Sequence, residues 1–111
     1  MKGNDEATAA LLRLQAWYQA ECNGDWEHTY GFKLETLDNP GWAFEADLEE
    51  TKWAGTEVPM TKLVRCESDW THYEIKDNKY LAAGGSGNLI EMLEQFFSVL
   101  EDLQLGRKQV V

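Results

Sequence analysis

Apolar residues near the start of the chain recur at helical spacing. Between residues 5 and 22, Leu11, Leu14, Trp17 and Tyr18 follow one another every three or four positions. That spacing places them on one face of an α-helix. An Asn-Gly pair comes next, which is typical of a helix end because glycine accepts the left-handed conformation found there. The pattern predicts a helix over residues 5–22.

The spacing then changes to strict alternation of apolar and polar residues. Residues 26–37 alternate with a period of two, which predicts a half-buried β-strand. The next four residues are Asp-Asn-Pro-Gly, a turn sequence in which proline fixes φ and glycine accepts positive φ. Alternation resumes over residues 42–48, so the two strands are predicted to pair as a hairpin.

The second half of the chain predicts another pair of strands. Residues 50–59 show no period and are predicted to form a loop. Strands are predicted over residues 60–67 and 70–76. Residues 79–81 predict at most a short further edge of the sheet. The small residues of 82–87, Ala-Ala-Gly-Gly-Ser-Gly, are interpreted as a flexible connector, because a phosphate-binding loop would need a Lys-Ser/Thr pair that is absent.

The last predicted element is a strongly amphipathic helix that ends near Gly106. Asn88 and Glu91 have the spacing of a capping box at its beginning. Arg107 and Lys108 follow its end, where the helix dipole favours positive charge.

The order of elements, α-β-β-β-β-α, predicts an α+β fold. In this fold an antiparallel sheet of about four strands is flanked by an N-terminal and a C-terminal helix. A chain of 111 residues suffices for one hydrophobic core, so a single domain over residues 1–111 is expected. Cys22 and Cys66 are too few for a disulfide framework, and we expect free, half-buried thiols. The sequence shows neither a signal peptide nor an apolar run of about 20 residues, which favours a cytoplasmic protein.

Charge narrows the range of partners. Twenty acidic and ten basic residues give a net charge of −10. This excess argues against direct binding to nucleic acid or to an anionic membrane, since both need Lys and Arg. It favours a basic partner, although solubility alone would also account for an acidic composition. The negative charge is densest in the predicted sheet, where residues 41–77 hold nine acidic and four basic residues.

The segment Asp-Trp-Glu-His is the strongest candidate for catalysis or metal binding. Asp25, Glu27 and His28 supply groups that zinc accepts, as in a small metal-dependent hydrolase. In a regular strand, however, neighbouring residues face opposite ways. Asp25 and Glu27 would then face solvent, while His28 would lie partly buried beside Trp26. A second copy, Asp69-Trp70-Thr71-His72, lacks the glutamate, which favours a structural role; no catalytic residue, metal or cofactor is expected.

Trp53 is the tryptophan whose position in the sequence suggests a protein-binding site. Trp53 falls in the aperiodic loop beside Glu49, Glu50 and Glu57. An exposed aromatic residue within a polar rim is typical of binding hot spots. A loop that folds back on the core would instead bury it.

The first half of the chain resembles the signature region of the bacterial immunity protein 53 family. The likeness lies in a Trp-Tyr helix end, a Gly-Asp-Trp-Glu-His-x-Tyr-Gly segment and a Thr-Leu-Asp-Asn-Pro-Gly-Trp turn within residues 14–48. Asp69-Trp70 and the Gly-Gly-Ser-Gly-Asn-Leu stretch extend it over most of the chain. The positions that carry it are Trp17, Tyr18, Gly24, Trp26, His28, Tyr30, Gly31, Asp38, Asn39, Pro40, Gly41 and Trp42.

The resemblance implies a non-enzymatic antidote of a polymorphic toxin system, which binds and blocks a cognate toxin. Many such toxins are nucleases and therefore basic, and an acidic surface would capture them rapidly. A metal-dependent hydrolase and a generic protein-binding adaptor remain the alternatives. The residues expected to contact the toxin lie on polar strand faces and in the acidic loop: Glu45, Asp47, Glu49, Glu50, Trp53 and Glu57, with Asp25 and Glu27 as a second patch.

Overall fold

A computed structural model describes residues 2–106, with side chains from Asp5 onward; Arg107 and Lys108 lie outside the described residues. The described residues form one antiparallel sheet in the order β1-β2-β5-β4-β3, together with three helices. This confirms the predicted α+β fold with terminal helices, but the sheet has five strands instead of about four. The elements are α1 (Lys2–Glu21), α2 (Trp26–Thr29), β1 (Phe32–Leu37), β2 (Gly41–Asp47), β3 (Val58–Cys66), β4 (Asp69–Lys76), β5 (Lys79–Gly85) and α3 (Leu89–Gln104).

Only residues 79–81 of β5 were predicted, as a short edge of the sheet, but β5 extends from Lys79 to Gly85 and lies in the middle of the sheet between β2 and β4. Its Ala-Ala-Gly-Gly sequence was interpreted as a flexible connector, because glycine and alanine are depleted in strands. The fold requires small residues there. A Cβ atom on Gly84 would lie 2.7 Å from the sulfur of Met92, and one on Gly85 would lie 2.6 Å from the carbonyl oxygen of Ser68. Close packing of α3 and of the β3–β4 turn therefore selects glycine in a central strand.

The hydrophobic core lies between the sheet and the helices α1 and α3. Phe96 of α3 is fully buried at its centre. Its ring centroid lies 5.3 Å from that of Trp17 on α1, 5.1 Å from Phe44 on β2 and 4.8 Å from Tyr80 on β5. This one side chain thus joins both helices to the sheet. No helix in the described part of the chain is both long and apolar enough to cross a membrane.

No helix covers the opposite face of the sheet in the described structure. The register places Phe44 of β2 and Tyr80 of β5 on the helix side. Along each strand, the residues that alternate with these point to the other face. Side chains on this second face are half-buried or exposed. We call it the open face; its members are Lys33, Glu35, Ala43, Glu45, Asp47, Lys62, Val64, Trp70, His72, Glu74, Lys76, Lys79, Leu81 and Ala83.

The Asp-Trp-Glu-His segment forms the helical turn α2, so the prediction of a strand from residue 26 is wrong, and β1 begins at Phe32. The side-chain oxygen of Asn23 accepts hydrogen bonds from the backbone amides two and three residues later, at 3.0 and 2.9 Å. Glu27 accepts the amides of Asn23 and Gly24, both at 2.9 Å. These four hydrogen bonds hold residues 23–27 in a turn that leads into α2, and they outweigh the alternation of apolar residues.

A polar cluster fixes the beginning of α3, but not as the predicted capping box. Asn88 makes no side-chain bond to a helix amide. Its amide group instead donates to the carboxylates of Asp69 and Glu91, each at 2.9 Å. Arg65 donates to the same two carboxylates, at 2.8 and 2.6 Å. The cluster therefore ties the β3–β4 hairpin to α3.

This cluster leads to a prediction about stability in acid. Arg65 and then Asn88 lower the pKa of Asp69 to about 2. An unfolded aspartate titrates near about 3.9, so the charged form stabilises the folded state above about pH 4, and that contribution is lost as the pH falls toward 2. We expect Asp69→Asn to lose less thermal stability than the wild type between about pH 5 and pH 2.5.

The matched control for this prediction is Asp5→Asn. Asp5 is exposed and forms no salt bridge within the described residues. This variant is expected to follow the wild-type profile of melting temperature against pH. An unchanged pH dependence in Asp69→Asn would show that the cluster contributes nothing to stability.

Candidate functional site

Acidic side chains gather where β2 ends and β5 begins. Asp47 accepts a hydrogen bond from the backbone amide of Gly31 at 3.0 Å and one from the ammonium group of Lys79 at 2.5 Å. The same ammonium lies 3.8 Å from a carboxylate oxygen of Glu45. These contacts raise the pKa of Lys79, chiefly through its bond to Asp47. They hold Asp47 in place at the end of β2.

The loop after β2 adds two further carboxylates beside Tyr30. Partial burial raises the pKa of this tyrosine, and the charges of Glu50, Glu49 and Asp47 raise it further. The carboxylates therefore converge on one place, which we call the acidic end and define as Glu45, Asp47, Glu49 and Glu50. A shallow cavity of about 210 Å³ lies beside it, lined by Thr29, Tyr30, Gly31, Phe32, Lys33, Glu45 and Asp47.

The helical turn α2 packs next to the acidic end. Trp26 is buried, and its indole nitrogen donates to the backbone carbonyl of Glu49 at 2.9 Å. Of the predicted second patch, Asp25 is exposed, whereas Glu27 is half-buried and both of its carboxylate oxygens accept backbone amides. His28 is exposed on this turn. The prediction that His28 lies partly buried beside Trp26 is therefore wrong, because helical geometry separates residues that a strand would align.

Several residues of the motif that carries the resemblance form an aromatic cluster around Trp26. Its ring centroid lies 5.8 Å from Trp17, 6.2 Å from Tyr18 and 6.3 Å from Tyr30. Tyr18 in turn packs edge-on against Phe32 at the beginning of β1. The cluster joins α1 and α2 to the sheet, so these motif positions support the fold below the acidic end.

Trp53 does not contribute to the surface. It is only 7% exposed, and its indole nitrogen donates to the carbonyl of Leu100 in α3 at 3.0 Å. The prediction of an exposed anchor is wrong because the loop folds back onto the core. Two threonines stabilise the fold of this loop, since Thr51 and Thr56 each donate to a carbonyl three residues earlier, at 2.8 and 2.7 Å.

Glu57 lies apart from the acidic end, at the beginning of β3. It borders a cavity of about 440 Å³, where β3 and β4 meet. Glu74 of the open face borders the same cavity, and sequence reasoning did not select it. The sequence signal that could have found Glu74 is its place in the alternation, between the core-side residues Tyr73 and Ile75. In the structure, the register aligns Glu45, Leu81 and Glu74 in one row across β2, β5 and β4.

Asp25, Glu27 and His28 are not arranged as a metal site. Both carboxylate oxygens of Glu27 already accept backbone amides. Elsewhere in residues 5–106, no group of three or more His, Cys, Asp and Glu side chains has the geometry to hold a metal ion. Cys22 and Cys66 are both free. Cys22 is half-buried as predicted, whereas Cys66 is exposed at the end of an edge strand.

Fold and surface together define a small acidic α+β protein with one open sheet face. The family model described as Immunity protein 53 matches residues 11–101, so the chain belongs to this family. The resemblance seen in residues 14–48 is thereby confirmed, and family membership implies a protein that binds a cognate toxin. Neither a curated protein nor a solved structure matches the chain.

Proposed function

We propose that the protein neutralises a basic, nuclease-type bacterial toxin by non-catalytic sequestration. The match to the immunity protein family over residues 11–101 carries this proposal. The net charge of −10 supports a basic partner. Nucleases hold phosphates with Lys and Arg, and an acidic protein is attracted to the same positive surface.

The surface proposed for toxin binding is the acidic end with the adjoining open face, flanked by Asp25 and Glu27. Neither Glu49 nor Glu50 forms a salt bridge within the described residues. Glu50 is exposed, so its charge is available to a partner, whereas Glu49 is half-buried and one of its carboxylate oxygens is buried. Five strands spaced about 4.8 Å apart give the open face a width of about 19 Å. That width suits a standard interface of about 800 Å² per partner.

Co-expression tests this proposal. Cells that produce the toxin encoded beside this gene are expected to grow only when this protein is also produced. An unrelated toxin of the same enzymatic class is the control and is expected to remain lethal, because immunity depends on specific contacts. If the neighbouring toxin kills cells that contain the folded protein, the proposed function is wrong. That outcome is the one expected if the protein is instead an adaptor with a different partner.

A further inference from the structure

We propose that the toxin also contacts the β3 side of the sheet, where an extended toxin segment adds as a sixth strand and inserts a lysine or arginine between Glu57 and Glu74. This inference rests on the proposed function and specifies how the partner is recognised. We call this region the β3 margin; it comprises Met60, Leu63, Val64 and the cavity beside Glu57 and Glu74.

β3 is the longest strand of the described sheet and lies at one of its edges. It pairs only with β4, and eight of its nine residues are exposed. Three of these are large and apolar: Met60 is 43% exposed, Leu63 42% and Val64 69%. The other edge strand, β1, has six residues and one comparable side chain, Leu34 at 36%. Proteins usually protect long edges with proline, charged residues and irregular pairing, and β3 has such features in Pro59, Lys62 and its two register shifts. Because its exposed apolar side chains still outnumber those of β1, the β3 edge is the stronger candidate for pairing with a partner strand.

Backbone geometry suits strand addition at the middle of β3. Pairing with β4 is regular from Thr61 to Val64 and irregular on both sides of this segment. Lys62 and Val64 face the open side, whereas Thr61 and Leu63 face the helix side. An added strand would gain affinity from main-chain hydrogen bonds and specificity from alternate side chains. Its open-side residues would continue the surface proposed for toxin binding.

The cavity at the beginning of β3 fits a long basic side chain. Val58, Pro59 and Ile75 line it with apolar atoms, and Glu57 and Glu74 add two carboxylates. Neither glutamate forms a salt bridge within the described residues. Lysine and arginine bury an apolar stem while the charged head stays at a polar rim. Lys76 also borders the cavity, which leaves two negative charges against one positive charge there.

Charge favours the toxin over a second copy of this chain as the occupant. Two copies would each carry a net charge of −10 and repel each other, whereas a basic toxin is attracted. The row formed by Glu45, Leu81 and Glu74 also connects the cavity to the acidic end across the open face. One bound partner can therefore reach both regions.

Variants of the β3 margin provide the first test, with the neighbouring gene's toxin domain in catalytically inactive form as the probe. Val64→Glu is expected to raise the dissociation constant at least about tenfold, because it places a charge within an apolar contact. Glu57→Gln/Glu74→Gln is expected to raise it about threefold or more at low salt. Leu34→Glu on β1 and Leu12→Glu on α1, which are also exposed, are matched controls expected to stay within about twofold. Circular dichroism verifies that each variant is folded.

Hydrogen exchange on the wild-type protein provides the second test and needs no variant. Toxin binding is expected to slow amide exchange in Val58–Cys66 more than in Phe32–Leu37. Unchanged exchange in Val58–Cys66, or wild-type affinity in a folded Val64→Glu variant, would overturn the inference. So would a wild-type dimer that Val64→Glu makes monomeric without loss of toxin affinity. Failure of the wild-type protein to bind the toxin would instead overturn the proposed function.

Discussion

Phe96→Ala is expected to lower the free energy of unfolding by about 3–5 kcal/mol. The Phe96 ring is fully buried and contacts aromatic rings from α1, β2 and β5, so its removal opens a cavity where both helices meet the sheet. Domains of this size are stable by about 5–15 kcal/mol, so the variant would lose a large share of its stability. Urea unfolding followed by tryptophan fluorescence measures the change.

The matched control is Ser98→Ala, an exposed position on the same helix. Surface substitutions of this kind change stability by at most about 0.5 kcal/mol. A loss below about 1.5 kcal/mol for Phe96→Ala would contradict the central position of this ring, because a well-packed aromatic side chain costs more to remove.

The second large effect concerns the rate of toxin capture. The triple variant Glu45→Gln/Glu49→Gln/Glu50→Gln is expected to reduce the association rate constant about tenfold or more at low salt. Electrostatic attraction accelerates association well above the rate for neutral surfaces, and glutamine keeps the side-chain shape while removing three negative charges. Stopped-flow mixing with the toxin domain measures the rate at increasing salt, where the difference should shrink as charges are screened.

A control variant separates local charge from net charge. Asp5→Asn/Glu6→Gln/Glu94→Gln removes the same three charges from exposed positions on α1 and α3. It is expected to associate at nearly the wild-type rate, because steering acts mainly through charges near the contact. Equal reductions in the two triple variants would show that only the total charge matters, and would argue against the acidic end as the contact.

The terminal helices and the first hairpin were predictable because their signals are local. Helical spacing predicted α1 and α3, and the Asp-Asn-Pro-Gly turn predicted the pairing of β1 with β2. The error at α2 has a local cause as well: Asn23 and Glu27 accept backbone amides in the turn that leads into α2, where the apolar residues happen to alternate. Hydrogen bonds between side chains and nearby backbone amides can override the secondary structure that the apolar pattern predicts, and they are harder to recognise in a sequence than that pattern.

β5 and Trp53 were misinterpreted because their environment comes from distant parts of the chain. Gly84 suits a central strand only because Met92 of α3 packs against it. Trp53 is buried only because its loop reaches Leu100. Neither contact partner is close in sequence, and residue preferences alone pointed the other way in both cases.

The candidate surface was predictable in composition but not in layout. The negative charge of β2 and its following loop was visible in the sequence, and Glu45, Asp47, Glu49 and Glu50 do converge. The sequence could not show that Glu57 lies at the β3 edge of the sheet, away from β2, or that it borders the same cavity as Glu74, since strand order is a long-range property. It also gave no sign that β3 is an edge strand.

The most direct test of the central claim is a titration of the toxin's own enzymatic activity with this protein. Sequestration predicts that activity falls linearly with added protein and reaches zero at an equimolar ratio, with a one-to-one complex on a sizing column. Loss of all activity at a small fraction of one equivalent would indicate catalytic inactivation and contradict sequestration. Undiminished activity at a several-fold excess would contradict toxin binding itself.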